Sequence, residues 1–102
     1  MSIVSLHRNP DAALLALIQR ADDLWLEWDR LAETNEEHPR IAVLSRASTE
    51  LERRIVATPA FSPAGLAGKR RIIERAELET FDDLGIIATI LEMDVERVAA
   101  TR

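Results

Sequence analysis

Residues 14–32, LLALIQRADDLWLEWDRLA, carry the pattern that sets the fold class. When heptads are counted from the first leucine, all nine a, d and e positions are apolar. They are Leu14, Ala21 and Trp28 at a, Leu17, Leu24 and Leu31 at d, and Ile18, Trp25 and Ala32 at e. A stripe three residues wide is typical of a helix that faces a bundle core, whereas a two-stranded coiled coil has a narrower seam. The stretch therefore predicts an amphipathic helix over residues 10–34.

The residues on either side predict where this helix begins and which element comes after it. Asn9 is the predicted N-cap and Pro10 the first helical position, where the missing N–H of proline costs nothing. The short connection 35–39 predicts an antiparallel hairpin, with Pro39 opening a second helix over 39–57. The apolar face of this helix has spacings of three and four and comprises Ile41, Leu44, Ala47, Leu51 and Ile55.

The segment 58–63, TPAFSP, is a break followed by a restart. Ser62 is the predicted cap of a third helix over 63–77, Pro63 its first residue, and Phe61 and Leu66 occupy the positions of a hydrophobic staple. Gly65 and Gly68 each cost about 1 kcal/mol relative to alanine inside a helix. Two interpretations remain open for this small-residue turn: close approach by another part of the backbone, or fraying.

A fourth helix is predicted over 81–99, with Thr80 and Asp83 resembling a capping box. The alternative is that the third and fourth helices form one bent helix. Ile86, Ile90 and Met93 lie on a different face from the main apolar stripe, and a small subunit has few elements to cover both faces. The sequence therefore predicts an all-α fold, a four-helix antiparallel bundle with a long N-terminal helical hairpin that associates with a second copy.

Composition restricts the class of protein further. The chain has 102 residues, 47% hydrophobic and 30% charged, with a formal net charge of -5. This length and hydrophobic content predict one small folded domain spanning residues 1–102. No apolar stretch approaches the roughly 20 residues of a membrane span, and no signal peptide is evident. The absence of cysteine excludes disulfides and thiolate zinc sites and fits a cytoplasmic location.

Residues 57–69, ATPAFSPAGLAGK, together with the hairpin before them, resemble a segment of short uncharacterised α-helical proteins of bacteria and their phages. The similarity rests on the proline-flanked turn and the small-residue helix start, and it covers about half of the chain. Those proteins have no assigned activity, so the resemblance implies a helical fold and a bacterial or phage origin, and it carries over no site.

Charge is segregated along the sequence. Six basic residues against one acidic give residues 53–75 a balance of +5, while residues 22–37 and 77–97 each have seven acidic residues against one basic, a balance of -6. The candidate phosphate-binding residues are Lys69, Arg70, Arg71 and Arg75, which lie within two helical turns. The competing interpretation is that these side chains pair with an acidic helix of the same chain or of a second copy.

The remaining candidates concern contacts and metals. Trp25 and Trp28 lie at one edge of the first stripe, where large rings fill a core or anchor an interface. His38, beside Glu36 and Glu37, belongs to no helical metal-ligand pair, so we expect no metal and no cofactor. No serine has a nearby general base, and we expect no catalytic residue.

The sequence therefore predicts a non-catalytic helical interaction or assembly module that acts as a small homodimeric adaptor for an unidentified protein partner. Its predicted interface comprises Trp25, Trp28, Ile86, Ile90 and Met93. The alternative is a nucleic-acid-associated regulator that uses the basic cluster of the third helix.

Overall fold

The computed structural model describes residues 9–35, 37–82 and 84–101. Its described part consists of four α-helices and one 3₁₀ turn: α1 Ala12–Thr34, α2 Pro39–Ala57, α3 Pro63–Arg75, the turn Leu78–Phe81, and α4 Ile86–Thr101. The fold class is all-α, as predicted. No helix in these ranges is both long enough and apolar enough to cross a membrane.

Helix α1 begins two residues later than predicted. Asn9 forms a turn rather than the cap, because its side chain accepts a hydrogen bond from the Asp11 amide and its carbonyl accepts one from Ala12. Asp11 is the residue before the helix, and its carboxylate points away from the helix end to the segment before α3. Leu14 and Ile18, on the predicted stripe, are buried in the core.

The hairpin between α1 and α2 forms as the prolines predict. Pro39 is the first residue of α2, and the His38 ring nitrogen Nδ1 accepts a hydrogen bond of 3.1 Å from the Arg40 amide, which supplies the helix cap. The Arg40 guanidinium donates two hydrogen bonds, of 2.8 and 3.1 Å, to the Glu27 carboxylate across the hairpin. His38 is thus a capping residue, and α2 buries Leu44, Leu51 and Ile55.

Helix α3 begins at Pro63 with Ser62 as its N-cap, as predicted, and the Ser62 hydroxyl accepts a 3.1 Å hydrogen bond from the Gly65 amide. Its first turn is not frayed, because Gly65 is buried against α1. A Cβ atom at Gly65 would overlap the Asp11 carboxylate, and one at Gly68 would lie 2.8 Å from Ile18 Cδ1. The glycines therefore allow α3 to pack closely on α1.

Helices α3 and α4 are separate, and the connection between them is longer than predicted. Glu77 adopts a left-handed conformation with φ of 53°, which ends the α3 segment, and a 3₁₀ turn follows. Helix α4 begins at Ile86 rather than at residue 81, because the Asp82 carboxylate accepts hydrogen bonds from the amides of Ile87 and Ala88 and so caps the helix. The predicted capping residue Asp83 lies outside the described residues.

The helices pack in a flat arrangement with principal-axis extents of 46 × 42 × 16 Å. The short dimension accommodates two layers of helices at the usual 8–10 Å spacing. Helix α1 packs on α2 and α3, whereas α4 packs on α3 and on the end of α2, and no Cα pair within 8 Å joins α4 to α1 in the described part. These contacts are compatible with an antiparallel bundle. They leave α4 as the helix with the least cover.

Candidate interaction surface

Helix α4 presents apolar side chains to solvent along one face. Ile86 and Met93 are 55% and 51% exposed, and Ile90 between them is partly buried. Leu84 and Val95 are also exposed. Val95 lies on the opposite side of the helix, about 180° around it from Ile86. The inward face carries Asp94 and Val98, both buried. Helix α4 thus has more apolar surface than the described part of the chain covers.

A groove adjoins this face where α4 meets the C-terminal half of α2. Its volume is about 290 Å³, and Val56, Ala57, Leu78, Ile87 and Ile90 supply its apolar lining. A smaller extension of about 150 Å³ continues past Ile90 to Met93 and Pro59. The exposed stripe and the groove therefore form one continuous apolar surface.

Glu52 lies on the rim of the groove. Burial raises the pKa of the Glu52 carboxyl, and the positive charge of Arg75 opposes that shift. A carboxylate in this position is poorly solvated, so the groove disfavours isolated negative charge.

The two predicted aromatic contact residues form a separate surface on α1. Trp25 and Trp28 stack with ring centroids 5.8 Å apart, and the Arg75 guanidinium lies 4.8 Å from the centre of the Trp25 ring. Trp25 is 37% exposed and Trp28 is partly buried. Because α1 and α4 make no close approach, the structure does not bring the tryptophans together with Ile86, Ile90 and Met93.

The predicted phosphate-binding cluster is wrong for Lys69. This side chain is fully buried, and its Nζ donates to Asp94 at 2.7 Å and to the carbonyl of Val56 at 3.2 Å. The lysine lies on the inward face of α3, where a surface phosphate has no access to it. The three consecutive residues Lys69, Arg70 and Arg71 span about 200° around the helix, and their spacing alone did not reveal which of them faces the core.

Two of the three arginines are paired within the chain. Arg71 donates two hydrogen bonds to Asp22, of 2.8 and 3.0 Å, and Arg75 donates a third of 2.8 Å. The pKa of Asp22 is lowered chiefly by the Arg71 hydrogen bond, burial opposes the shift, and Arg75 lowers it further. Asp22 belongs to the first acidic segment and Asp94 to the second, so three of the six basic residues of segment 53–75, Lys69, Arg71 and Arg75, pair with acidic helices of the same chain.

Arg70 is exposed, but it lines surface depressions that it shares with glutamates of α3, of the connection and 3₁₀ turn after it, and of α4. These neighbours are Glu74, Glu77, Glu79, Glu92 and Glu96. An acidic surrounding repels a phosphate backbone. The four-residue cationic site therefore does not assemble on the surface of α3.

A buried polar network, which the sequence did not reveal, holds the segment between α2 and α3. Asp94 accepts hydrogen bonds from the Ala60 amide and Arg97 as well as from Lys69. Asp11 accepts hydrogen bonds from the amides of Phe61 and Ser62, each at 2.8 Å, and from the Ser62 hydroxyl. In the described residues every buried side-chain polar atom has at least one hydrogen-bond partner, so this network serves to fix the helices.

Metal ligands do not group in the described ranges, where no three histidine, aspartate or glutamate side chains come together as a metal site requires. Glu36, one of the two acidic residues beside His38, lies outside these ranges.

Comparison with known proteins found no matching family model, no matching curated protein and no matching solved structure.

Proposed function

We propose that this protein is a non-catalytic helical assembly module that acts as a homodimer through the exposed face of α4. The observation that carries the proposal is the apolar stripe of Ile86, Ile90 and Met93, whose outer two residues are more than half exposed. Exposed patches of this kind mark association sites on soluble proteins.

The arrangement of charge supports an interaction role over a reaction or a nucleic-acid role. The buried ionisable groups Asp11, Lys69 and Asp94 are engaged in hydrogen bonds that hold the connection before α3. Arg71 and Arg75 share the Asp22 carboxylate, which offsets one of their two positive charges. Arg53, Arg54 and Arg70 remain exposed, but Lys69 is buried, so the four-residue cluster is not displayed as a phosphate-binding site. A cytoplasmic location, suggested by the cysteine-free sequence, is part of the proposal.

Trp25 and its neighbour Trp28 remain predicted contact residues. Stacked aromatic rings with one edge in water are typical of an anchor for another protein. In this proposal α4 joins the two copies and the tryptophan pair on α1 is left for a different protein partner, which is the arrangement an adaptor needs.

Sedimentation equilibrium tests the proposal. We expect a mass near twice 11.5 kDa at the upper end of a concentration series and dissociation on dilution. Met93→Asp should give a monomer, because it places a charge on the stripe. Val95→Asp is the matched control. Val95 is 42% exposed on the same helix but lies on the side opposite Ile86, so dimerisation should persist. A wild-type protein that remains monomeric across the series overturns the proposal.

A further inference from the structure

We infer that two copies of this chain pair through antiparallel α4 helices, with a two-fold axis close to Ile90; the inference rests on the proposed homodimer and specifies its geometry. Helix α4 carries a stripe of four residues spaced by four, three and four: Ile86, Ile90, Met93 and Arg97. At 100° per residue these positions fall within an arc of about 60°. They therefore mark one line along the helix, and Asp82 lies just before its N-terminal end.

The two ends of this line carry opposite charges. Asp82 precedes the helix, and its carboxylate is held at the helix N-terminus by hydrogen bonds from the amides of Ile87 and Ala88 at 3.0–3.2 Å. Arg97, one turn before the helix C-terminus, is 26% exposed at its side chain. Nη1 of Arg97 donates to Asp94, and the guanidinium has further N–H donors for another acceptor.

A second copy fits this pattern because the α4 stripe is complementary to the same stripe of another copy that runs in the opposite direction. A two-fold axis requires that each residue meet its counterpart symmetrically. If Ile86 of one copy lies opposite Met93 of the other, Ile90 lies next to the two-fold axis. The Asp82 carboxylate, held at the N-terminus of each helix, then lies at the same end of the pair as Arg97 of the other copy. Both apolar contacts and both ion pairs then form at once, and the two helix dipoles are antiparallel.

The alternative registers lack this property. A parallel pairing places Asp82 opposite Asp82 and Arg97 opposite Arg97, which repel. On the opposite side of α4, Val95 lies beside the exposed residues Glu92 and Glu96. Two copies joined through that side would bring like charges together. An interface of about 800 Å² per partner usually involves about 20–30 residues on each side, many more than this stripe supplies, so we expect a weak dimer of micromolar affinity.

Cysteine crosslinking tests the geometry cleanly because the chain contains no cysteine. Ile90→Cys should form a disulfide-linked dimer on mild oxidation. Ile86→Cys and Met93→Cys should crosslink to each other when the two variants are mixed. Neither variant should crosslink well alone, because the two-fold symmetry separates the two copies of each position by about 10 Å along the helix axis. That separation is too long for a disulfide bond. Val95→Cys is the control on the opposite side of the helix, and it should form no disulfide-linked dimer under the same oxidation.

A charge exchange gives an independent readout. Asp82→Lys and Arg97→Glu each place like charges at both ends of the antiparallel pair, so each variant alone should dimerise about tenfold more weakly. An equimolar mixture places opposite charges at both ends and should recover the wild-type dissociation constant within about threefold. Asp82→Lys also removes the α4 cap, and Arg97→Glu removes the ion pair with buried Asp94. Circular dichroism and urea denaturation therefore check first that each variant is folded. If either variant fails to fold, the cysteine experiment still decides the geometry.

The outcomes separate this inference from the proposal beneath it. A wild-type monomer at every concentration overturns both. A dimer in which Val95→Cys crosslinks and Ile90→Cys does not overturns the α4 stripe, and a dimer in which Ile86→Cys crosslinks faster alone than in the mixture overturns the antiparallel register. In these last two cases the protein is still a homodimer, and only its geometry is different.

Discussion

Lys69 of α3 and Asp94 of α4 form an ion pair of 2.7 Å in which both side chains are at least 98% buried. The same lysine binds the last turn of α2 through the Val56 carbonyl, and the same aspartate binds the Ala60 amide before α3. One ion pair thus connects three helices and the segment between two of them. This connection holds α4 in the orientation that exposes its apolar stripe.

Lys69→Met should lower the free energy of unfolding by about 3–5 kcal/mol, because it removes the fully buried member of the two cations, Lys69 and Arg97, that pair with Asp94. Asp94→Leu should cost a similar amount for the converse reason. The double variant should lose clearly less than the sum of the two, since it leaves no buried charge of this pair unmatched. Urea denaturation measures all three, with Arg70→Met as an exposed control. Strict additivity would contradict a coupled pair.

Gly65→Ala and Gly68→Ala should change the free energy of unfolding by different amounts, or in opposite directions, although both gain helix propensity. At Gly65 the new methyl group displaces the Asp11 carboxylate, whose hydrogen bonds hold Phe61 and Ser62, so we expect a loss of about 2 kcal/mol or more. At Gly68 it meets only the terminal methyl of Ile18, which can rotate away, and the gain of about 1 kcal/mol in propensity offsets the crowding. Thermal unfolding of the two variants measures the contrast.

The Asp22 carboxylate should stabilise the fold at neutral pH and lose this effect in acid. Its folded-state pKa is lowered from 3.8, chiefly by the Arg71 hydrogen bond, so the stabilisation is present above pH 3.8 and is lost as the pH falls through the folded-state value. Asp22→Asn should cost about 1–2 kcal/mol at neutral pH and progressively less below pH 3.8. Asp23→Asn, one residue away and exposed, is the control. A loss that does not change with pH would contradict the role of the Asp22 charge.

The contribution of Glu52 to stability should show the opposite dependence on pH. Burial raises its pKa above the ordinary 4.5, so the contribution of this group is most favourable below pH 4.5 and declines as the pH rises through the folded-state value. Glu52→Gln should therefore be neutral or stabilise the protein by up to about 0.5 kcal/mol at pH 7. The gain should disappear in acid. Paired denaturation curves at both pH values provide the measurement.

Trp25 and Trp28 are the only tryptophans in the chain, so fluorescence reads their surface directly. We expect the emission maximum to stay constant as the dimer dissociates on dilution, because the pair lies on α1 and has no close approach to α4. Arg75→Met should change the emission instead, since it removes the cation from the Trp25 ring. A shift on dilution would place the tryptophans in the dimer interface.

Local signals were enough to predict most of the helical framework. Pro39, Ser62 and Pro63 fix their helix starts through steric and hydrogen-bonding effects that act within a few residues, and the structure begins α2 and α3 at those positions. The start of α4 was misplaced because the Glu77 conformation and the 3₁₀ turn after it have no strong sequence signature. The exposure of Ile86 and Met93 followed from counting apolar positions on one small chain.

By itself, the sequence determined that the protein is helical, where its prolines begin new helices, and that α4 is apolar around most of its circumference. These properties depend on periodicity and on contacts between near neighbours. Only the tertiary structure decided that Lys69 lies in the core while Arg70 beside it lies in water, and that Asp11 and Asp94 hold the segment before α3. The partners of those charges are 25 to 51 residues away in the chain, and burial brings them together only once the helices have packed.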